Sequence, residues 1–188
     1  HTQVINHLIK TELALKNKNL DFEVENTKNN MENKLRVAVL LGGRSNEKEI
    51  SLESGRNILY KLSPQKYDAM PIFVDSNLDL YKIDQKLLVR NSTGEITLGL
   101  TQDMKIKWSD LKNICDFVFI ALHGGEGENG SVQGALEMLE MPYNGSSVLS
   151  SALCMDKFKT NNFLRSKGFD VPVGLLIEKT DFEKDENN

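Results

Sequence analysis

Residues 35–55 read LRVAVLLGGRSNEKEISLESG: an unbroken apolar run, two glycines, and then a charged segment with helical character. A strand covered on both faces shows a continuous apolar run rather than an alternation, and such strands belong to parallel sheets. Residues 35–41 form a run of this kind, and the spacing after the loop predicts a helix over about 47–62. The stretch therefore opens a βα unit. Gly55 lies inside the predicted helix, where glycine costs about 1 kcal/mol relative to alanine, so close packing against a neighbouring element is the reason to expect for it.

Working outward, Pro64 ends the helical region and YDAMPIFVD, residues 67–75, reads as the next strand. KLLVRNSTGEITLGL, residues 86–100, has two β-prone runs around a turn at 91–94 and is expected to form a hairpin insertion. CDFVFIAL, residues 115–122, is a second buried strand that feeds another glycine-rich loop, HGGEGENG, residues 123–130. Val132, Ala135, Leu136 and Leu139 then recur at helical spacing. MPYNGS reads as a short strand and turn. Val148, Leu149, Ala152 and Leu153 form one helical stripe, Phe158, Phe163 and Leu164 form another, and Gly168 is placed to close the second helix. VPVGLLIEK, residues 171–179, is expected to be a strand, and the chain ends soon after it with its sheet unfinished.

At the other end, Val4, Ile5, Leu8, Ile9, Ala14 and Leu15 suggest a short amphipathic helix, which gives way to the patternless EVENTKNNMENK. The chain opens on His1, and Met31 stands just ahead of the first strong strand, so the native domain is expected to begin near Met31. The division this supports is an amphipathic helix and disordered linker over 1–33, a main domain over 34–154, and the beginning of a further domain over 155–188. Alternating strands and helices imply an α/β fold, a Rossmann-like parallel sheet with helices on both faces. Sheets of this kind bind ligands in the crevice beyond the carboxyl ends of their strands. Both glycine-rich loops lie at such ends and are expected to face one crevice.

Composition narrows the classes. The 188 residues carry 23 basic and 27 acidic side chains, a net charge of -4, and no basic stripe, which argues against a nucleic-acid partner. With 39% hydrophobic residues and no apolar run near the roughly 20 residues of a membrane helix, a soluble globular protein is expected. The two cysteines, Cys115 and Cys154, stand in apolar surroundings far from any metal-ligand spacing, so both read as buried free thiols of a reducing cytoplasm. Glycosylation-like triplets at Asn91, Asn129 and Asn144 follow no secretory segment and read as chance matches.

The loops themselves point away from a dinucleotide. GGRSNE is neither GxGxxG nor a Walker loop, and two glycines after a strand serve a tight turn in any case. With Asn46 as N-cap, Glu49 would fall at the third helical position and close a capping box. Glu47 would then be left facing the crevice at the positive end of the helix dipole, where a carboxylate is favoured and suits a substrate ammonium group. The alternative is a solvated glutamate that only compensates the dipole. His123 follows a buried strand and precedes two glycines, so backbone and ligand can approach closely there, although a structural histidine reads equally well. Glu126 and Glu128 read as solvated, Gly127 and Gly130 as turn residues, and Lys157 as a surface lysine near a helix start.

VAVLLGGRSNEKEISLESG, then FVFIALHGGEGENGSVQGALEMLEMPYNGSSVLSSALCMDKFKTNNFLRSKG, then VPVGLLI, closely resemble the amino-terminal part of the D-alanine:D-alanine ligases, in order and at family spacing over about 37–177. The resemblance implies an ATP-dependent ligase of ATP-grasp architecture that joins two D-alanines for bacterial peptidoglycan, with residues from about 155 opening the ATP-grasp domain. It implies that Glu47 holds the ammonium group of the first D-alanine, that His123 lies near the same substrate, and that Lys157 reaches the ATP phosphates. It implies Mg2+ held by carboxylates beyond this chain, a cytoplasmic location, and a homodimer formed through this domain. On those terms the 188 residues alone would be inactive. GENGS where the family has GEDGT, and Asn144 where threonine is common, are small departures. A non-catalytic amino-acid-binding module, and a ligase that takes D-lactate or D-serine second, stay open.

Overall fold

The computed structural model describes residues 34–89 and 92–177. The expected helix and linker before Lys34, the proposed start at Met31 and the residues from Glu178 onward lie outside the described residues.

The apolar run becomes β1, Leu35–Gly42, which is buried from Val37 to its end. It pairs in parallel with β2, Tyr67–Val74, on one side and with β5, Phe117–Ile120, on the other. Side chains alternate between the two faces of a strand, so a central strand needs cover on both. On one face Ala38, Leu40, Ile72, Val74, Val118 and Ile120 pack with Leu111, Val132 and Leu136. On the other, Val39, Phe117 and Phe119 pack with Ile58 and Leu62, while Leu41 and Phe73 pack with Leu52 and Ile96. Each such side chain contributes about 1.5–3 kcal/mol relative to staying exposed. This double cover is why the sequence carries unbroken apolar runs.

With the short strands β3, Leu80–Lys82, and β4, Lys105–Ile106, the strand order is β4-β3-β2-β1-β5. From β1 the chain moves out to β2 and later returns to the far side of β1 as β5, so the order reverses at the β1/β5 boundary. In open α/β sheets that reversal is where the crevice forms. The expected parallel sheet holds for these three strands, whereas β3 and β4 add an antiparallel edge. Strands of three and two residues are too short to show any periodicity. A parallel bridge from Val118 to Tyr143 extends the sheet beyond β5, where MPYNGS was expected to form a short strand.

The helix after β1 is α1, Lys48–Lys61. A Cβ on Gly55 would lie 2.5 Å from Leu41 Cβ, so the helix approaches β1 more closely than any larger residue allows. The close packing expected of Gly55 is present.

Four expectations are corrected. The hairpin over 86–100 is instead a 3-10 turn, Gln85–Val89, followed by the helix α2, Thr93–Leu98. Ser92 caps that helix by accepting from Glu95 N at 3.2 Å, a local bond that outweighs the β-propensity of Ile96 and Thr97. The strand over 171–179 does not form within its described part: residues 171–177 join no strand of the sheet, and Val173 is 92% exposed. Cys115 is buried, but Cys154 is exposed on α6, Val148–Met155, where Ser151 is the buried residue. Finally, Glu47 rather than Asn46 is the N-cap of α1, which moves Glu49 out of the capping-box position.

The remaining helices are α3, Leu111–Ile114, then α4, Gly125–Glu128, α5, Ser131–Met138, and α7, Lys157–Ser166. Gly168, with φ +84, closes α7 as expected: its N–H donates to Arg165 O and that of Phe169 to Leu164 O, the pairing of a Schellman cap. No helix among the described residues is long and apolar enough to cross a membrane.

Candidate functional site

Beyond β1 the chain turns through Gly42 and Gly43, and the Gly43 N–H donates to Val74 O at 2.8 Å. A Cβ on Gly42, at φ +90, would meet Phe73 Cε2 at 2.7 Å and Val74 O at 2.9 Å, so only glycine fits this turn. The turn delivers Ser45 and Glu47 to the carboxyl end of β5. There the loop that begins at His123 is stitched to α1: Ser45 Oγ donates to His123 O at 2.6 Å and His123 N donates to Ser51 Oγ at 2.8 Å. Glu47 N donates in turn to Ser45 Oγ at 3.1 Å, and Ser51 Oγ donates to Glu47 O at 3.1 Å. The two glycine-rich loops therefore face each other, as the sequence predicted.

Glu47 starts α1 without using its side chain as a cap. Its carboxylate has no hydrogen-bond or ion-pair partner among the described residues, and it lies beside Gly124: a Cβ built there, at φ +66, would be 3.6 Å from the Glu47 carboxyl carbon. A free anion at the positive end of a helix, against a bare stretch of backbone, can receive a cationic nitrogen. Glu49 has a different role. It accepts from Thr93 N at 3.1 Å and from Thr93 Oγ1 at 2.6 Å, fastening the start of α2 to α1.

His123 presents a half-exposed ring. Its Nε2 is 2.8 Å from Ser54 Oγ, and its Nδ1 is 3.8 Å from Glu128 Oε1. Both Glu128 and His123 line an open cleft of about 890 Å³ with Ser54, Gln133, Asn144, Ser150 and Cys154. Glu126, expected to be solvated, is instead tied across the loops: Arg44 Nε donates to its carboxylate at 2.7 Å and holds that carboxyl below its usual range. The pairing leaves Arg44 and Glu126 neutralising each other at the rim. Gly127 serves close packing more than a turn, since a Cβ there would meet Leu122 Cβ at 2.5 Å.

Asn144, one of the two departures noted above, is buried and joins the bridge at Tyr143 to β5. Its Oδ1 accepts from Ile120 N at 2.5 Å and its Nδ2 donates to Ile120 O at 3.2 Å. A side chain so engaged is no glycosylation acceptor. Lys157 opens α7 as an exposed residue without an ion-pair partner among the described residues. Neither it nor Glu47 is among the residues lining the cleft, which reaches Cys154 and Met155. The structure thus brings Glu47 and His123 to one pair of loops and leaves Lys157 on the neighbouring helix.

Sequence reading missed Ser45, Ser51 and Ser54. Two of them stand four and seven residues after Glu47, the spacing that places side chains on one helix face, and that periodicity was the available signal. Among the described residues no group of three or more His, Cys, Asp or Glu could hold a metal ion, so the Mg2+ implied by the resemblance has no fitting ligand set here.

A family model described as "D-ala D-ala ligase N-terminus" matches residues 36–146. The D-alanine–D-alanine ligase of Pelotomaculum thermopropionicum is 38% identical over 151 residues, covering 80% of this chain and 39% of that protein. The VanG D-Ala:D-Ser ligase of Enterococcus faecalis superposes with a TM-score of 0.65 at 26% identity, over 82% of this chain and 48% of that one. The D-alanine–D-alanine ligase of Bacillus anthracis complexed with ATP superposes with a TM-score of 0.55 at 30% identity, over 82% and 43%. The chain spans about two fifths to one half of the length of these relatives. The matched region holds the central strands, both glycine-rich loops, Glu47 and His123, and the chain belongs to the family of D-alanine:D-alanine ligase amino-terminal domains.

Proposed function

We propose that this domain holds the first D-alanine for a ligase that joins two D-alanines at the expense of ATP in the bacterial cytoplasm, as a step of peptidoglycan precursor synthesis. The carrying observation is the Glu47 carboxylate: free of partners among the described residues, set at the start of α1 and lying against Gly124. In this reading Glu47 pairs with the ammonium group of D-alanine, and His123 borders the same substrate from the opposite loop. A held amino acid reacts faster because its orientation is settled before the chemical step.

ATP, when bound, supplies the phosphoryl group that turns the carboxylate of the first D-alanine into an acylphosphate with a good leaving group. The amine of the second D-alanine then displaces that phosphate. By the resemblance Lys157 reaches the nucleotide's phosphates, and it is an exposed cation without an ion-pair partner among the described residues, which supports that role. Residues from about 155 are the start of the central ATP-grasp domain. The exposed apolar side chains of Phe158, Phe163, Val173, Leu175 and Leu176 support that reading, because they await cover. A homodimer through this domain follows from the resemblance alone. D-serine stands beside D-alanine as the second substrate, since a D-Ala:D-Ser ligase is among the structural neighbours.

The test is calorimetric titration of the 188-residue chain with D-alanine, L-alanine and AMP. D-alanine should bind in preference to L-alanine, and Glu47→Gln should weaken it about tenfold or more, the range for losing a charge-assisted bond. Equal binding of both enantiomers, or an unaffected variant, overturns the proposal. Phosphate release with ATP, magnesium and D-alanine should stay at background for this chain alone.

A further inference from the structure

The reading above gives His123 a place near the substrate, but a neutral imidazole can present either an N–H or a lone pair on each edge. Ser54 decides which. Its Oγ lies 2.8 Å from His123 Nε2, on the second turn of a helix where a serine hydroxyl can return to the carbonyl four residues back. Ser51, three residues earlier, does so, donating to Glu47 O at 3.1 Å. Ser54 has no such bond among the described residues, so its proton is free to go to His123 Nε2. On the opposite edge, Nδ1 faces the Glu128 carboxylate at 3.8 Å, too far for a hydrogen bond yet near enough to favour a proton on that nitrogen. The ring is fixed further by its own backbone, whose N–H donates to Ser51 Oγ and whose carbonyl accepts from Ser45 Oγ.

Resting on the proposed D-alanine site, we propose that Ser54 is a positioning residue that locks His123 in the Nδ1–H tautomer and turns an N–H edge toward the cleft. An anionic oxygen of a bound amino acid then meets a donor, where the other tautomer would offer it a lone pair. Glu128 lies beside that edge and, like Ser54 and His123, lines the cleft, and the Nδ1 edge makes no hydrogen bond among the described residues. Ser54 touches no reacting atom in this arrangement. Its effect passes through the ring.

The test uses the uniformly 15N-labelled 188-residue chain at about pH 8, above the ordinary imidazole range near 6.5. Long-range proton–nitrogen correlation spectra of His123 should show a protonated Nδ1 and an unprotonated, hydrogen-bonded Nε2. Ser54→Ala, which raises helix propensity and so should fold, should bring the two tautomers toward equal populations, and Ser54→Thr should restore the wild-type pattern. D-alanine should bind Ser54→Ala about fivefold more weakly than wild type, the effect of one hydrogen bond, with Ser54→Thr recovering most of that. A wild-type ring protonated at Nε2, a spectrum unmoved in Ser54→Ala, or equal D-alanine affinity in wild type and Ser54→Ala each overturns the proposal. Failure of D-alanine to bind wild type while the tautomer pattern holds overturns the substrate assignment, and leaves the Ser54–His123 lock standing on the spectra.

Discussion

The sheet region and the helical pair that follows it meet water on opposite terms. From Val37 to Leu41 no side chain of β1 is more than 3% exposed, and both faces of the strand are covered by helices drawn from the same domain. Along 148–177 the stripes that read as core leave Leu149 78% and Leu175 88% exposed, and Ser151 is the buried residue of α6. Apolar periodicity marks what a segment can bury, whereas what it does bury depends on a partner. The first region holds its partners within the described residues and the second does not.

Substitutions should divide accordingly. The largest loss belongs to Leu40→Ala in β1, about 2–5 kcal/mol by chemical denaturation, since a fully buried leucine leaves a cavity. The same change at Leu175 should stay within about 0.5 kcal/mol in this chain. Comparable losses at both positions would contradict the contrast. Gly55→Val should follow at about 1–3 kcal/mol or more, because its side chain must enter the space held by Leu41. Removing the tie between α1 and α2 with Glu49→Ala should cost about 1–2 kcal/mol, as the buried Thr93 hydroxyl and N–H lose their acceptor. A thermal shift indistinguishable from wild type would show that the bond is idle.

The smallest effect is electrostatic. Arg36 and Asp116 join the start of β1 to the start of β5, and the guanidinium holds the Asp116 carboxyl below its usual range by hydrogen bonding and by charge. A carboxyl lowered on folding adds stability that is present in full above its unfolded value, near pH 4, and lost as pH falls through the folded value. The stability gap between wild type and Asp116→Asn should therefore close below about pH 4. With side chains 41% and 37% exposed, the pair is screened and the gap should be modest even at neutral pH.

The same contrast explains what could be read from the sequence. β1, the loop after it and β5 were legible because burial on both faces writes an unbroken apolar run, and Gly55 was legible because glycine inside a helix needs a reason. Residues 86–100 were misread because Ile96 and Thr97 favour strands, although Ser92 and Glu95 carried the helix-start spacing that prevailed. The strand expected over 171–179 does not form in its described part, 171–177, because strand formation needs a partner and no local pattern reports one. At the candidate site, Glu47 was singled out through its position at a helix start, and the structure places it there. Ser54 was not, because its meaning depends on a histidine 69 residues away that only the fold brings near.

The proposed function turns on one electrostatic contact, the Glu47 carboxylate with the ammonium nitrogen of D-alanine. A crystal of this chain soaked with D-alanine tests it most directly. A Glu47 oxygen should lie about 2.8 Å from that nitrogen, the distance of a charge-assisted bond. D-alanine bound in the crevice with the Glu47 carboxylate turned into solvent would contradict it.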